Sequence, residues 1–241
     1  FPLVGGLKDG IYRLDGREYP MGQHGFARDM EFQLKSQVAS EIWFVLESNE
    51  ETMQKYPYPF TLELGYELKE NTVIVKWIVK NPAKEEMYFS IGGHPAFLCP
   101  IEEGTKQTDY SIRLDAGEKV TASTLDNGLV DGKTVDHCLD QGMLSVTEHL
   151  FDGDALVIEH DQAHSVALVK PDGEAYLTVT FDAPLFGIWS PPKKQAPFIC
   201  IEPWYGRCDR ADFAGDWTER EWGQTLAPGG TFQTAYTITI S

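Results

Sequence analysis

The sequence has few basic residues, few cysteines and no long apolar run. Lysine and arginine total 20 against 37 aspartate and glutamate residues, for a formal net charge of −17. This excess of negative charge repels phosphate backbones and anionic lipid headgroups, so we expect neither a nucleic-acid nor a membrane partner. No apolar stretch could cross a bilayer, and we see no signal peptide. Four cysteines in 241 residues are too few for a disulfide framework, so we expect reduced thiols and a cytoplasmic protein.

Several catalytic and metal-binding motifs are also absent. The sequence contains no phosphate-binding G-x-x-x-x-G-K-[ST] loop, no G-x-G-x-x-G after a strand and no G-x-S-x-G nucleophile elbow. No set of cysteines and histidines has the spacing of zinc ligands. His160 and His164 are four residues apart, but they lie in a polar turn rather than on a clear helix. These absences argue against nucleotide-dependent, hydrolase-triad and zinc-dependent classes of enzyme.

Short strand patterns follow one another along the chain. The clearest is 60–81, where two runs with a period of two residues flank Glu70-Asn71 and predict a hairpin. A short helix is expected around 212–222, and 143–151 is ambiguous. Many strands without βα alternation predict an all-β sandwich or barrel, and the lack of a linker predicts one domain, 1–241. The other predicted strands are 30–36, 41–47, 86–91, 165–170, 175–181, 185–190, 198–202 and 231–240.

Two segments place an ionisable residue among glycine, proline and aromatic residues. His94 follows two glycines and precedes Pro95, which restricts its backbone, and histidine titrates near neutral pH. Glu202 ends the apolar run FICIE, where burial raises a carboxyl pKa and suits it to act as a base. Trp204 and Tyr205 follow, and such aromatics stack on sugar rings. The alternatives are a structural histidine and a glutamate that faces solvent.

Three further residues are candidates for binding. His24 and Arg28, in the segment QHGFARD, are hydrogen-bond donors, and Arg28 could grip a hydroxyl or a phosphate. Taken without context, Arg28 and Asp29 fit a surface charge cluster better. Asp154 precedes a predicted strand and could accept from a substrate hydroxyl, although an aspartate at such a position is more often a turn residue.

The segments GGHPAF, QHGFARD and CIEPWYG, with LFDGDALVI, FGIWSPP and the final LAPGGTFQTAYTITI, resemble the aldose 1-epimerase family. The resemblance covers nearly the whole chain and is closest to a bacterial branch distinct from the main galactose mutarotases. It implies a large antiparallel β-sandwich, the galactose mutarotase-like supersandwich, with a sugar cleft on one sheet. Relatives of this kind carry several strands before the segment that matches Phe1 to Gly6, so we expect this chain to lack those strands.

The resemblance also implies a mechanism. His94 falls on the general acid for the ring oxygen, and Glu202 falls on the general base for the anomeric hydroxyl. The ring opens to the aldehyde, the C1–C2 bond rotates, and closure gives either anomer without a metal or an organic cofactor. His24, Arg28 and Asp154 match positions that contact the sugar, and Trp189 falls near a further pocket position. Asp152 is an alternative to Asp154 in the same segment.

The sequence therefore predicts a mutarotase that acts on a small aldohexose. Two other functions remain open, namely a non-catalytic sugar-binding protein on the same scaffold and a mutarotase for hexose 6-phosphates. A fragment that folds only with a partner is a further alternative. Retention of both His94 and Glu202 favours the enzyme, because binding alone needs neither an acid nor a base. Neither the identity of the sugar nor the oligomeric state follows from the sequence.

Overall fold

Antiparallel strands make up most of the computed structural model, which describes residues 1–194 and 196–241. The backbone divides into two compact units. The first comprises residues 1–91 and 205–236, and the second comprises residues 92–204 and 237–241. The predicted all-β antiparallel class is confirmed, while the single domain over 1–241 stays a prediction.

In the sheet of the first unit, strands β3 to β6 lie in the spatial order β6-β5-β4-β3, with β20 next to β6. A separate hairpin pairs β1 with β2, and β7 pairs with β19. Its elements are β1 (Ile11–Leu14), β2 (Arg17–Pro20), β3 (Gln33–Gln37), β4 (Glu41–Glu47), α1 (Glu50–Lys55), β5 (Thr61–Lys69), β6 (Thr72–Lys80), β7 (Met87–Phe89), the start of β8 (Ile91–Gly92), β19 (Gln224–Leu226) and most of β20 (Thr231–Ile240).

The second unit holds two runs of antiparallel strands, in the orders β12-β11-β14-β17-β18-β8 and β13-β10-β15-β16; β9 also pairs with β18. Most of the side chains of β14, β15, β17 and β18 are buried, so these strands form its core. Its strands are β9 (Ala96–Leu98), β10 (Ser111–Leu114), β11 (Lys119–Asp126), β12 (Leu129–Cys138), β13 (Met143–Ser145), β14 (Leu156–Glu159), β15 (Ser165–Val169), β16 (Ala175–Phe181), β17 (Leu185–Trp189) and β18 (Phe198–Tyr205).

Where alternation or an apolar run was strong, the predicted strands are confirmed. The hairpin forms from β5 and β6, and Glu70 takes a positive φ of 54° at the turn. The predicted strand 86–91 is broken at Ser90, whose N–H donates to the Pro2 carbonyl instead of to a neighbouring strand. The predicted strand 198–202 continues through Pro203 to Tyr205.

The helix predictions were less accurate. Around 212–222 the structure has only a 3-10 turn, Trp217–Glu219, which begins at the cap residue Asp216. Trp222 has a φ of 62°, which a continuing helix does not allow. Conversely, α1 was not predicted, although Asn49 and Thr52 form a reciprocal capping box at its start. Of the ambiguous segment 143–151, Met143–Ser145 is a strand.

No helix within the described residues is long and apolar enough to cross a membrane. The cytoplasmic location stays a prediction.

A buried ion pair links Asp209 and Arg220 in the segment that follows β18. Arg220 Nε donates to Asp209 Oδ1 at 2.7 Å, and the two side chains are only 3% and 4% exposed. The same carboxylate accepts from the Lys8 N–H, and Arg220 also donates to the Arg207 carbonyl. Each group therefore has several partners, which is what allows two charges to be buried.

Replacing Arg220 by methionine would leave the Asp209 carboxylate buried without its cation. We expect the free energy of unfolding of Arg220→Met to fall by about 3–5 kcal/mol, measured by urea denaturation. Arg210→Met is the matched control, because Arg210 pairs with Asp212 on the surface and should cost under about 1 kcal/mol. Equal losses of unfolding free energy in the two variants would contradict the prediction that the buried pair contributes more to stability than the exposed pair.

Candidate active site

The buried carboxylate of Glu202 lies in the middle of β18. Its strand neighbours are apolar, and β17 runs beside it with Gly187 directly opposite Glu202. The side chain of Glu202 is 3% exposed. A routine surface glutamate, the alternative reading of the sequence, is therefore wrong. The apolar pattern of FICIE was the correct signal for burial.

Strand register brings His94 to Glu202. Ala96 of β9 pairs with Cys200, and the Gly93 N–H donates to the Pro203 carbonyl. An antiparallel register carried between these two contacts places His94 opposite Glu202, and the two side chains meet. His94 Nδ1 lies 3.3 Å from Glu202 Oε1. The histidine side chain is 44% exposed, so the pair has one buried and one accessible member.

The environment of Glu202 raises its pKa towards neutral pH. The pKa of this carboxyl is raised from 4.5 to about 8, chiefly by burial and to a lesser extent by the negative charge of Asp154. A hydrogen bond from Trp204 acts in the opposite direction and lowers the pKa. A carboxylate with a pKa near the working pH takes up and returns a proton more readily than an ordinary one.

Trp204 is a support for Glu202 rather than an exposed stacking platform. It is 8% exposed, and its side chain hydrogen-bonds the Glu202 carboxylate. The ring fits because residue 187 is glycine, since a Cβ there would lie 2.5 Å from the Trp204 ring. The sequence suggested sugar stacking for this residue and missed its contact with Glu202. The lone glycine in the strand LFGIW was the signal that another group approaches closely.

Trp189 and Asp154 lie with this pair in the second unit. The Trp189 ring stands edge-on to His94, with centroids 5.7 Å apart and an angle of 89°. Asp154 has a φ of 82°, and its Oδ1 accepts from the Ala155 N–H. Its charge acts on Glu202. Asp152 instead contacts His149 Nδ1 at 2.9 Å, which favours Asp154 over Asp152 as the aspartate near Glu202.

His24 and Arg28 belong to the first unit. His24 Nδ1 accepts from the Gly5 N–H at 3.2 Å, so a neutral His24 carries its proton on Nε2. The Arg28 side chain is 58% exposed, and its Nε lies 3.6 Å from the Asp29 carboxylate. This contact is the surface charge cluster that the sequence offered as an alternative. The roles of both residues stay predictions.

Cys200 was not selected from the sequence, yet it lies against the acid–base pair. It is two residues from Glu202 on the same face of β18 and is 1% exposed. Burial and the nearby Glu202 charge raise the pKa of its thiol to about 12, so the thiol is neutral at physiological pH. His94, Cys200 and Glu202 could together hold a metal ion, because their ligand atoms lie within 4.8 Å of one another.

The sequence profile of the family described as aldose 1-epimerase matches residues 5–239. The chain belongs to the aldose 1-epimerase family. This membership confirms the resemblance found in the sequence and the prediction of an isomerase that acts on sugars. Membership of this family does not by itself identify the sugar on which the protein acts.

Two curated relatives of this aldose 1-epimerase family member are the chromosomal and plasmid forms of Protein LacX from Lactococcus lactis subsp. lactis. Each is 32% identical over 250 residues, covering 100% of this chain and 83% of the relative. Among solved structures, a galactose mutarotase related enzyme from Lactobacillus acidophilus is 32% identical, with a TM-score of 0.93 over 100% of this chain and 81% of that one. A galactose mutarotase-like protein from Lactobacillus casei is 29% identical, with a TM-score of 0.90 over 100% and 83%. These matches confirm the predicted mutarotase-like β-sandwich class.

The raised pKa of Glu202 predicts a particular dependence of stability on pH. Because the folded pKa of about 8 exceeds the unfolded value of 4.5, the folded protein holds an extra proton between these values. The contribution of Glu202 to stability is therefore full below pH 4.5 and is lost as the pH rises through about 8. The free energy of unfolding of the wild type should fall relative to that of Glu202→Gln over this window. Urea denaturation of both at several pH values measures it, and a constant difference would refute the pKa assignment.

Proposed function

We propose that this protein is a mutarotase, which interconverts the α and β anomers of a free aldohexose with His94 as acid and Glu202 as base. The observation that carries the proposal is the contact of an accessible imidazole with a buried carboxylate whose pKa is raised to about 8. The anomeric hydroxyl and the ring oxygen are both bonded to C1. A donor and an acceptor that lie side by side can therefore serve the two oxygens of one bound sugar.

His94 and Glu202 together account for every proton that the reaction moves. Glu202 takes the proton of the anomeric hydroxyl while His94 gives a proton to the ring oxygen, and the C1–ring oxygen bond breaks to leave the aldehyde. After rotation about C1–C2, Glu202 returns its proton to the carbonyl oxygen. His94 takes the proton of the attacking hydroxyl as the ring closes on the other face. The enzyme ends with the protons it began with, so no external acid or base is consumed.

The surrounding residues suit a sugar. Asp154 can accept from a sugar hydroxyl, and the edge-on ring of Trp189 beside His94 offers an apolar surface for the carbon face of the sugar. His24 and Arg28 belong to the first unit, and their contact with the substrate stays a prediction from the family resemblance.

Polarimetry on freshly dissolved α-D-glucose and α-D-galactose tests the proposal directly. The wild type should accelerate mutarotation, and His94→Asn and Glu202→Gln should each lower the enzymatic rate by a factor of about 100 to 10,000. His149→Asn is the control, because this exposed histidine pairs with Asp152 and has no assigned role. Full activity in either site variant would remove that residue from the mechanism.

Polarimetry combined with thermal melting separates the alternatives. A wild type without activity whose melting temperature rises with free sugar would indicate a sugar-binding protein. Activity on the anomers of glucose 6-phosphate, without activity on glucose, would indicate a phosphosugar enzyme.

Trp204 provides a second prediction, on the pH profile. Because a base works only when deprotonated and an acid only when protonated, kcat/KM should pass through a maximum, with Glu202 responsible for a limb that rises with pH through about 8. Trp204→Phe removes the hydrogen bond that lowers the Glu202 pKa, so the rising limb of its profile should move to higher pH. Stopped-flow polarimetry over a pH series, with the spontaneous rate subtracted, measures the midpoint. A drop in rate with an unmoved midpoint would mean that Trp204 acts only through packing.

A further inference from the structure

The face of β18 beside the acid–base pair presents a third group that can bind a metal. Cys200 and Glu202 are two residues apart and project to the same side of the strand, while register sets His94 opposite Glu202. One ligand atom from each, namely His94 Nδ1, Cys200 Sγ and a Glu202 carboxylate oxygen, all lie within 4.8 Å of one another. No sequence spacing reveals this group, because His94 comes from a distant segment.

The donor set matches the preferences of zinc. Imidazole nitrogen, thiolate sulfur and carboxylate oxygen bind Zn²⁺ at about 2.0–2.3 Å, so ligand atoms on a tetrahedral ion are about 3.3–3.7 Å apart. The 3.3 Å between His94 Nδ1 and Glu202 Oε1 already has this separation. The thiol has to approach by about 1 Å at most to complete three ligands. The fourth position would stay open, as in zinc sites that exchange water.

The charges around the site also favour a cation. Glu202 is buried, and the Asp154 carboxylate adds negative charge beside it. A divalent ion would compensate the buried carboxylate and displace the proton from the Cys200 thiol, so its binding would release protons.

We propose that His94, Cys200 and Glu202 form a binding site for Zn²⁺, and that zinc bound there stops mutarotation by occupying both the acid and the base. The binding site stands on geometry alone, whereas the inhibition rests on the proposed function.

Calorimetric titration of the metal-free full chain with Zn²⁺, without sugar, tests the site. Cys200→Ala should bind zinc at least about tenfold more weakly than the wild type, or not at all. Cys138→Ala is the matched control, because Cys138 is an exposed cysteine of the same unit and should leave the affinity unchanged. Unchanged affinity in Cys200→Ala, or equal weakening in Cys138→Ala, would overturn the site.

Cobalt gives an independent readout of the sulfur ligand. Co²⁺ added to the wild type should produce a sulfur-to-cobalt charge-transfer band in the near ultraviolet, and the band should vanish in Cys200→Ala and persist in Cys138→Ala. A wild type without the band would contradict the proposal. If Cys200→Ala melts too early to be used, Glu202→Gln provides the second variant, which should keep the band but bind zinc at least about tenfold more weakly.

Polarimetry then addresses the inhibition. Zinc at saturating concentration should abolish the enzymatic rate, and a chelator should restore it. Zinc that binds with the Cys200 dependence above but leaves the rate unchanged would overturn the inhibition alone. A wild type that does not accelerate mutarotation at all would instead refute the proposed function and leave the binding result to be judged by calorimetry.

Discussion

Burial of the Glu202 carboxylate is the constraint on which the chemistry of the site depends. A carboxylate removed from water holds its proton more tightly, and the negative charge of Asp154 adds to that effect. The consequence is a group that exchanges a proton near neutral pH. The cost is a loss of stability as the pH rises, because the ionised form is poorly solvated in the folded protein. Trp204 offsets part of this cost, because its hydrogen bond to the carboxylate lowers the pKa of Glu202.

The packing around Glu202 shows how the strands maintain this arrangement. Gly187 opposes Glu202 and leaves room for the Trp204 ring, which could not sit there beside any larger residue. The ring in turn holds the carboxylate from one side while the backbone bond from Gly93 to Pro203 fixes the loop that carries His94. The side chain that performs the chemistry is thus positioned by a glycine, an indole and a main-chain bond. Three different strands or loops supply these groups, and antiparallel pairing sets their relative positions.

Some features followed from local sequence because their causes are local. The hairpin β5–β6 has strict alternation on both sides of a turn at Glu70-Asn71, so its register needed no further information. His94 and Glu202 stood out because each is an ionisable residue in a segment of glycine, proline or apolar residues. The segment 212–222 failed for the opposite reason, since its aromatic residues serve contacts outside it. The indole of Trp217, for example, donates to the Tyr88 carbonyl.

The sequence by itself determined the class of fold, the family and the two residues assigned to the proton transfer, because these depend on short patterns and their order. Only the tertiary structure decided which groups surround that pair. Strand register placed Cys200 beside His94 and set Gly187 beneath Trp204, and turn geometry directed Asp152 to His149 and left Asp154 to act on Glu202. Except for the contact of Asp152 with His149, these relations join residues that lie far apart in the chain. Hydrogen bonding between neighbouring strands fixes them, and no local pattern of side chains encodes that pairing.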